Sequence, residues 1–302
     1  MTTFDPMDSQ ANSTRNLFTY GDLVIEYTRW PSSNTADDGI TADARKTALV
    51  ALHGFSRPLE DMALLLPYLQ PHEQLLAVHL PAHGRSSGHH RPLELADWAD
   101  AMEALAASLE LRLGGRTVAY SLGGRVGLSW WMARPEAMSH LVLIAPDGLR
   151  RSPSYAWSVD TALGRSILKR SLRHRAGMVR WTNRLFTWRL ISKHHHQFTL
   201  FHLESDTMWS MVQDCWLSMR QFWPHGIRGF LRANPGRVEI HLGERDKIIP
   251  RSVASKLDNL VDVHFHPFGH GLLRDEVLCR IGDGQKNRTQ PATPTDHGHN
   301  LD

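Results

Sequence analysis

The chain has 302 residues, 41% hydrophobic and 22% charged, with a formal net charge of +3, as expected of a soluble globular protein with a sizeable core. Its two cysteines, Cys215 and Cys279, exclude a disulfide framework or a cysteine metal set and read as buried thiols. No run of 18 apolar residues marks a membrane span. Residues 1–18 are polar, rich in Ser, Thr and Asn, and carry no secretory signal. They read as disordered, and a cytoplasmic location is expected by default.

In chain order, Leu23 to Tyr27 alternates as an early antiparallel strand. Ala48–Leu52 is a buried strand that runs into His53-Gly54-Phe55, ahead of a helix near Leu59–Leu69. Strand Leu75–Leu80 leads into Pro81-Ala82-His83-Gly84-Arg85-Ser86, then a helix spans about Leu93–Leu109. The β-branched run Thr117-Val118-Ala119-Tyr120 stops at Ser121, and Leu122-Gly123-Gly124 opens a helix through Arg125–Trp130. A strand-to-helix turn of this kind holds a serine exposed and strained, and it needs small residues two before and two after. Ala119 and Gly123 meet that need. Strand Leu141–Ala145 follows, ending at Pro146-Asp147-Gly148.

Residues 149–235 carry apolar residues at helical spacing, among them Met178, Trp181, Leu185 and Trp188, and six of the ten tryptophans. Such a stripe reads first as packing, with the bolder expectation that several tryptophans line an apolar pocket facing Ser121. The same stretch holds 14 Lys and Arg against 4 Asp and Glu, a local +10 that leaves −7 on the remainder. Arg165, Lys169, Arg170, Arg173 and Arg175 beside Leu168 and Leu172 suit a helix lying on an anionic surface, against the plainer reading of a solvated face. After it, strand Val238–Leu242 runs into Gly243-Glu244-Arg245-Asp246, and strand Val261–Phe265 into Gly269-His270-Gly271. Residues 285–302 lack apolar periodicity and read as a disordered tail. The run His194-His195-His196 and the pair His297 and His299 lack a partner at ligand spacing, so no metal is expected.

Five motifs carry a resemblance: His53-Gly54-Phe55, Leu80-Pro81-Ala82-His83-Gly84-Arg85-Ser86, the turn at Ser121, Gly243-x-x-Asp246 and Gly269-His270. Together they resemble the α/β-hydrolase superfamily over roughly 20–148 and 236–283. The departures are Ala119 and Ala82 for glycines and His79 for an aspartate. The resemblance implies an α/β fold: a mostly parallel doubly wound sheet with an inserted helical cap. The core is then 19–148 and 236–284, and the cap is 149–235.

It further implies that Ser121 is a nucleophile, His270 its base and Asp246 the orienting acid, in the family's chain order. Asp147 is the alternative acid. The backbone N–H groups of Phe55 and Leu122 would form the oxyanion hole, and His53 would brace its loop. The expected reaction is ester-type hydrolysis of an apolar or lipid-like substrate through an acyl-enzyme, with no cofactor. Carbon–carbon hydrolase, thioesterase, amidase or perhydrolase chemistry on the same residues remains open, as does a non-catalytic binding module. No nucleic-acid motif accompanies the basic charge and no obligate protein partner is evident; weak contact of the basic cap with anionic membrane is the remaining expectation.

Overall fold

The computed structural model describes residues 14–30, 47–88, 93–150, 153–191, 193–203, 205–219, 222–254, 257 and 260–283. The expected tail, 285–302, lies outside the described residues, as does 1–13 of the expected N-terminal disorder. Eight strands form one sheet: β1 (Asn16–Tyr20), β2 (Leu23–Trp30), β3 (Thr47–Leu52), β4 (Glu73–Val78), β5 (Arg116–Tyr120), β6 (His140–Ile144), β7 (Val238–Gly243) and β8 (Asp262–His266). Their order is β1-β2-β4-β3-β5-β6-β7-β8. The pairs β1–β2 and β2–β4 are antiparallel, and all pairs from β4 to β8 are parallel.

Parallel strands covered on both faces read as continuous apolar runs, and β3 shows why. Ala48, Val50 and Leu52 point into one core with Trp98, Trp130 and Trp131. Leu49 and Ala51 point into the other, with Leu59, Val277 and Leu278. The first core lies under helices α1 (Leu95–Ser108) and α2 (Leu122–Ala133). The second lies under residues Leu59–Tyr68 and a C-terminal helix, Asp275–Asp283. The expected helix near Leu59–Leu69 is a 3₁₀ helix, Leu59–Tyr68, and it contains Pro67, which lacks the N–H that an α-helical turn needs.

Between β6 and β7 come α3 (Pro153–Asp160), α4 (Ala162–Leu172), α5 (Arg175–Thr187), α6 (Lys193–Leu203), α7 (Asp206–Ser218) and α8 (Ile227–Ala233). The C-terminal helix Asp275–Asp283 is α9. The Thr161 hydroxyl accepts from the Gly164 N–H at 2.9 Å and caps α4, and the Ser205 hydroxyl accepts from the Met208 N–H at 3.1 Å and caps α7.

Three expectations are corrected. Residues 16–18 belong to β1, which pairs with β2 from Asn16↔Tyr27 to Tyr20↔Leu23. Only Phe18 packs on the core, so this edge strand carries almost no apolar period. Trp181 and Trp188 are 51% and 58% exposed and meet each other edge-on at 6.1 Å, while Met178 packs in a small core with Leu203, Trp209 and Val212. The stripe is therefore divided rather than buried. Cys215 is buried, but Cys279 on α9 is exposed.

At the end of the sheet remote from Ser121, Arg116 of β5 forms a two-pronged ion pair with Glu73 of β4, at 2.8 and 2.5 Å. Both side chains are at most 3% exposed. The guanidinium also donates to the carbonyls of Tyr68 and Ile281 at 2.9 and 3.2 Å, joining both segments that cover one face. Removing one partner strands a buried charge, which costs about 3–5 kcal/mol. Arg116→Ala and Glu73→Gln should each lower stability by that amount in urea unfolding. The double replacement Arg116→Met with Glu73→Leu should regain most of it; equal loss in singles and double would mean that the carbonyl contacts, not the ion pair, dominate.

Candidate active site

Ser121 separates β5 from α2 at φ +50°, ψ −114°, a conformation that costs a non-glycine residue about 1–3 kcal/mol. Neighbours hold it there. Its N–H donates to the Ile144 carbonyl at 2.9 Å, and its carbonyl accepts from the Asp147 N–H at 2.8 Å. A Cβ at Gly123 would stand 2.3 Å from the Leu52 carbonyl oxygen, so only glycine lets α2 leave the turn so close to β3. The Gly123 N–H then reaches the His53 carbonyl at 3.1 Å. That bond joins the turn to the loop bearing Phe55, and Phe55 and Leu122 line the same cavity as Ser121.

The other expected residues arrive from the loops after β7 and β8. His270 Nε2 lies 3.0 Å from Ser121 Oγ, and His270 Nδ1 lies 2.7 Å from Asp246 Oδ2. The second carboxylate oxygen of Asp246 accepts from the N–H groups of Ile248 and Ile249 at 2.8 and 2.9 Å. Burial pushes the Asp246 carboxyl up, but the hydrogen bonds from His270 and from these backbone groups outweigh it, leaving the group below its ordinary value. It is ionised at neutral pH. With Asp246 charged, His270 carries its proton on Nδ1 and turns the lone pair of Nε2 toward the serine hydroxyl.

Asp147 takes no part in this chain of bonds. Its carboxylate pairs with Arg125 of α2 and accepts from the Gly148 N–H at 2.7 Å. Arg125 also donates to the Tyr155 hydroxyl at 2.9 Å and lies over the Tyr155 and Trp223 rings.

Ser121 opens on a cavity of about 370 Å³. Leu168, Met178, Trp209, Val212, Trp216 and Ile248 give it a mostly apolar wall, and Arg125, Asp147 and Tyr155 form a polar end. Two of the six tryptophans of 149–235, Trp209 and Trp216, thus face the serine's cavity.

Residues 49–275 match the alpha/beta hydrolase family. The chain belongs to that family. It is 33% identical over 105 residues to a protein from Pectobacterium carotovorum named pimeloyl-[acyl-carrier protein] methyl ester esterase, a match covering 35% of this chain and 39% of that protein. The chain thus spans well under half the length of this curated relative. Two solved structures share the fold. A lipase described as putative from Acinetobacter baumannii has a TM-score of 0.59 at 18% identity, covering 95% of this chain and 97% of its own. A membrane phospholipase A has a TM-score of 0.62 at 16% identity, covering 93% and 89%.

This α/β hydrolase supports its His53 loop through a buried polar chain that includes two departures from the family pattern. His53 Nδ1 lies 2.6 Å from the Gly54 carbonyl oxygen, and its Nε2 accepts from the Leu80 N–H at 3.2 Å and stands 2.8 Å from His79 Nδ1. This bonding places a proton on His53 Nδ1 and on His79 Nδ1. Burial pushes His79 down to about 4, so it is neutral at pH 7. Beyond it, the Glu26 carboxylate accepts from the N–H and Nε of Arg85 at 2.7 and 2.8 Å. Ala82, the other departure, adopts φ +64°, a left-handed conformation natural to glycine. His53 therefore braces the loop, as expected.

Sequence reading did not assign Tyr120, whose hydroxyl donates to the His270 backbone carbonyl at 3.1 Å. Its one signal was adjacency to Ser121. Among the described residues, the group offering three metal-ligating atoms within 4.8 Å of one another is Glu239, His241 and His264 on β7 and β8; the side chains of His194 and His195 lie outside what the structure describes.

Gly84 tests the polar chain. At φ +54° its Cβ would fall 2.2 Å from Glu26 Oε2 and 2.3 Å from the His79 ring. Gly84→Ala should cost roughly 2–5 kcal/mol from overpacking and left-handed strain together, read as a fall in thermal midpoint. An unchanged midpoint would show that the Glu26 carboxylate and the His79 ring, 3.7 Å apart, give way freely.

Proposed function

We propose that this hydrolase is a serine esterase acting through an acyl-enzyme on an apolar or lipid-like substrate. The observation that carries the proposal is the continuous Asp246–His270–Ser121 hydrogen-bonded chain ending at a serine hydroxyl that opens on an apolar cavity. His270 Nε2 takes the hydroxyl proton as Ser121 Oγ attacks the ester carbonyl carbon, while Asp246 stabilises the imidazolium. The N–H groups of Phe55 and Leu122 receive the oxyanion, a contribution of about 2.7–4 kcal/mol per donor. Collapse of the intermediate expels the alcohol, which takes the proton back from His270. Water, deprotonated in turn by His270, then releases the acid and restores Ser121.

The cavity volume lies at the small end of the range for small-molecule sites, so it suits one acyl group of short to medium length. The curated relative named as a methyl ester esterase supports the ester reading. The helices of 149–235 act as the cap and supply most of the apolar wall.

Ser121→Ala should reduce kcat by about 10⁶ with the fold retained, since nucleophile and base act as a unit. Asp246→Asn should reduce it by about 10⁴, the loss typical when the orienting acid is replaced, and Asp147→Asn by less than about 10-fold. A fluorophosphonate probe should label the protein at Ser121, and p-nitrophenyl esters of increasing chain length should show an optimum at short to medium acyl chains. Ester hydrolysis near the wild-type rate in Ser121→Ala would overturn the proposal, as would a larger loss at Asp147→Asn than at Asp246→Asn. Labelling without turnover of any ester would leave another acyl substrate.

The cap also supports docking on an anionic lipid surface. Of 13 exposed large apolar side chains among the described residues, nine lie on it, including Leu163 and Ile167 on α4 beside exposed Lys169, Arg170 and Arg173. Arg175 is tied to Asp206 and the Leu203 carbonyl, so it adds less to that surface. Co-sedimentation with phosphatidylglycerol vesicles should weaken from 20 to 500 mM salt on the order expected for screened charges. Lys169→Gln, Arg170→Gln and Arg173→Gln together should weaken it at low salt. Absence of vesicle binding at low salt would leave a solvated face.

A further inference from the structure

The face of β7 and β8 opposite the α1–α2 core carries an unusual set of side chains. Val238, Ile240 and Leu242 of β7 point into that core, so Glu239 and His241, alternating with them, share the other face. On β8, His264 and His266 share that face as well. Parallel register sets His241 directly beside His264. Glu239, His241 and His266 are buried, at 6%, 1% and 4% exposure. The ligand atoms of Glu239, His241 and His264 all lie within 4.8 Å of one another. His140, the first residue of β6, brings its Nε2 to 3.6 Å from the Glu239 carboxylate.

We propose that Glu239, His241 and His264 form a binding site for a divalent transition-metal ion of the zinc class. The donor set, two imidazoles and a carboxylate, suits zinc, which takes ligands at about 2.0–2.2 Å in tetrahedral array. Two such ligands stand about 3.4 Å apart by that geometry. His241 Nε2 and Glu239 Oε1 are already 3.3 Å apart, long for a hydrogen bond and close to the spacing of two ligands on one ion. His264 is half-buried on the edge strand, so its ring has room to close on the other two and its open side gives the ion a way in.

A metal-bound imidazole needs a partner for its other nitrogen, and His241 has one. Its Nδ1 lies 2.9 Å from His266 Nε2. Without metal, His241 donates from Nε2 to Glu239 and accepts at Nδ1 from His266. With metal, the proton moves to Nδ1, which then donates to His266, and the Nε2 lone pair binds the ion. The hydrogen-bonded arrangement is thus converted by one tautomer change in His241 and one in His266, with no net proton release from either ring. The ion, Glu239 and neutral imidazoles together carry a net charge of +1, and a water molecule completes the tetrahedron.

The site lies outside the proposed acyl chemistry but on the strands that serve it. The loop after β7 carries Asp246 and the loop after β8 carries His270. An ion bridging the two strands would pin the sheet edge from which both loops depart, which makes it a structural ion rather than a catalytic one.

The test uses the full chain with His194, His195, His196, His297 and His299 replaced by Ala, so that the other histidine-rich stretches of the sequence do not compete. After EDTA treatment and dialysis, this protein should bind one equivalent of Co²⁺ with a visible d–d absorption band and micromolar or tighter affinity. Zn²⁺ should displace the cobalt and raise the thermal midpoint. In that background His264→Ala should weaken binding by at least about 100-fold, and His266→Ala by about 10–100-fold, as loss of a ligand's hydrogen-bond partner does. His264→Asn replaces His264→Ala if circular dichroism shows the alanine variant unfolded. No saturable cobalt binding, or binding unchanged in the His264 variants and in Glu239→Gln, would overturn the site and leave a hydrogen-bonded polar cluster.

Discussion

The close approach of β5, β3 and α2 around Ser121 governs the remainder of the active region. Strand, turn and helix pass so near one another that backbone atoms of Leu52 and His53 occupy the space a side chain at Gly123 would take. Gly124 faces Pro146 in the same way, with a would-be Cβ 2.6 Å from its ring, and Gly54 faces Tyr120 at 2.9 Å. Three absent side chains therefore let three loops converge. The convergence holds Ser121 at a positive φ that it would not adopt alone, and the Gly123–His53 bond sets the Leu122 and Phe55 backbone on one cavity wall. Strain at the serine is sustained by the parallel sheet beneath it.

The convergence is supported by polar groups as much as by apolar packing. The Glu26–Arg85 pair and the His79–His53 contact carry rigidity from the antiparallel edge of the sheet to the Phe55 loop. Tyr120 does the same for His270 through one hydroxyl, and burial pushes that phenol up to about 12, so it remains a donor at any physiological pH. At the opposite end, Arg116 and Glu73 hold the coverings of the second face. Buried groups of this kind cost solvation and give little net stability unless fully paired; their effect here is to fix where loops begin.

The helices between β6 and β7 follow a different rule. They bury few side chains among themselves, and a small core of Leu203, Trp209 and Val212 joins them to Phe55. Most of their remaining large apolar groups divide between the cavity and solvent. A layer so thinly packed on the main body is suited to movement or to contact with an apolar surface, and both serve the lipid-like substrate proposed for it.

Much of this was legible in the sequence, for a local reason. A strand that stops at Ser121 and two glycines after it state a steric requirement within a few residues, and so do Gly54 ahead of Phe55 and the glycines flanking His270. The alternation and length of the apolar runs likewise gave seven of the eight strands to within two or three residues and the order of chain segments in the α/β pattern. Only tertiary structure shows that Asp246, and not Asp147, meets His270, because Arg125, one turn along α2 from Ser121, pairs with Asp147. It alone separated Met178 from Trp181 and Trp188, since a helical period states that a face is apolar and not what covers it. β1 escaped notice because an edge strand with one packed side chain has no period to read. The grouping of Glu239, His241 and His264 arises from strand register across 25 residues of chain, and register is fixed by the packing of the whole sheet rather than by any segment of it.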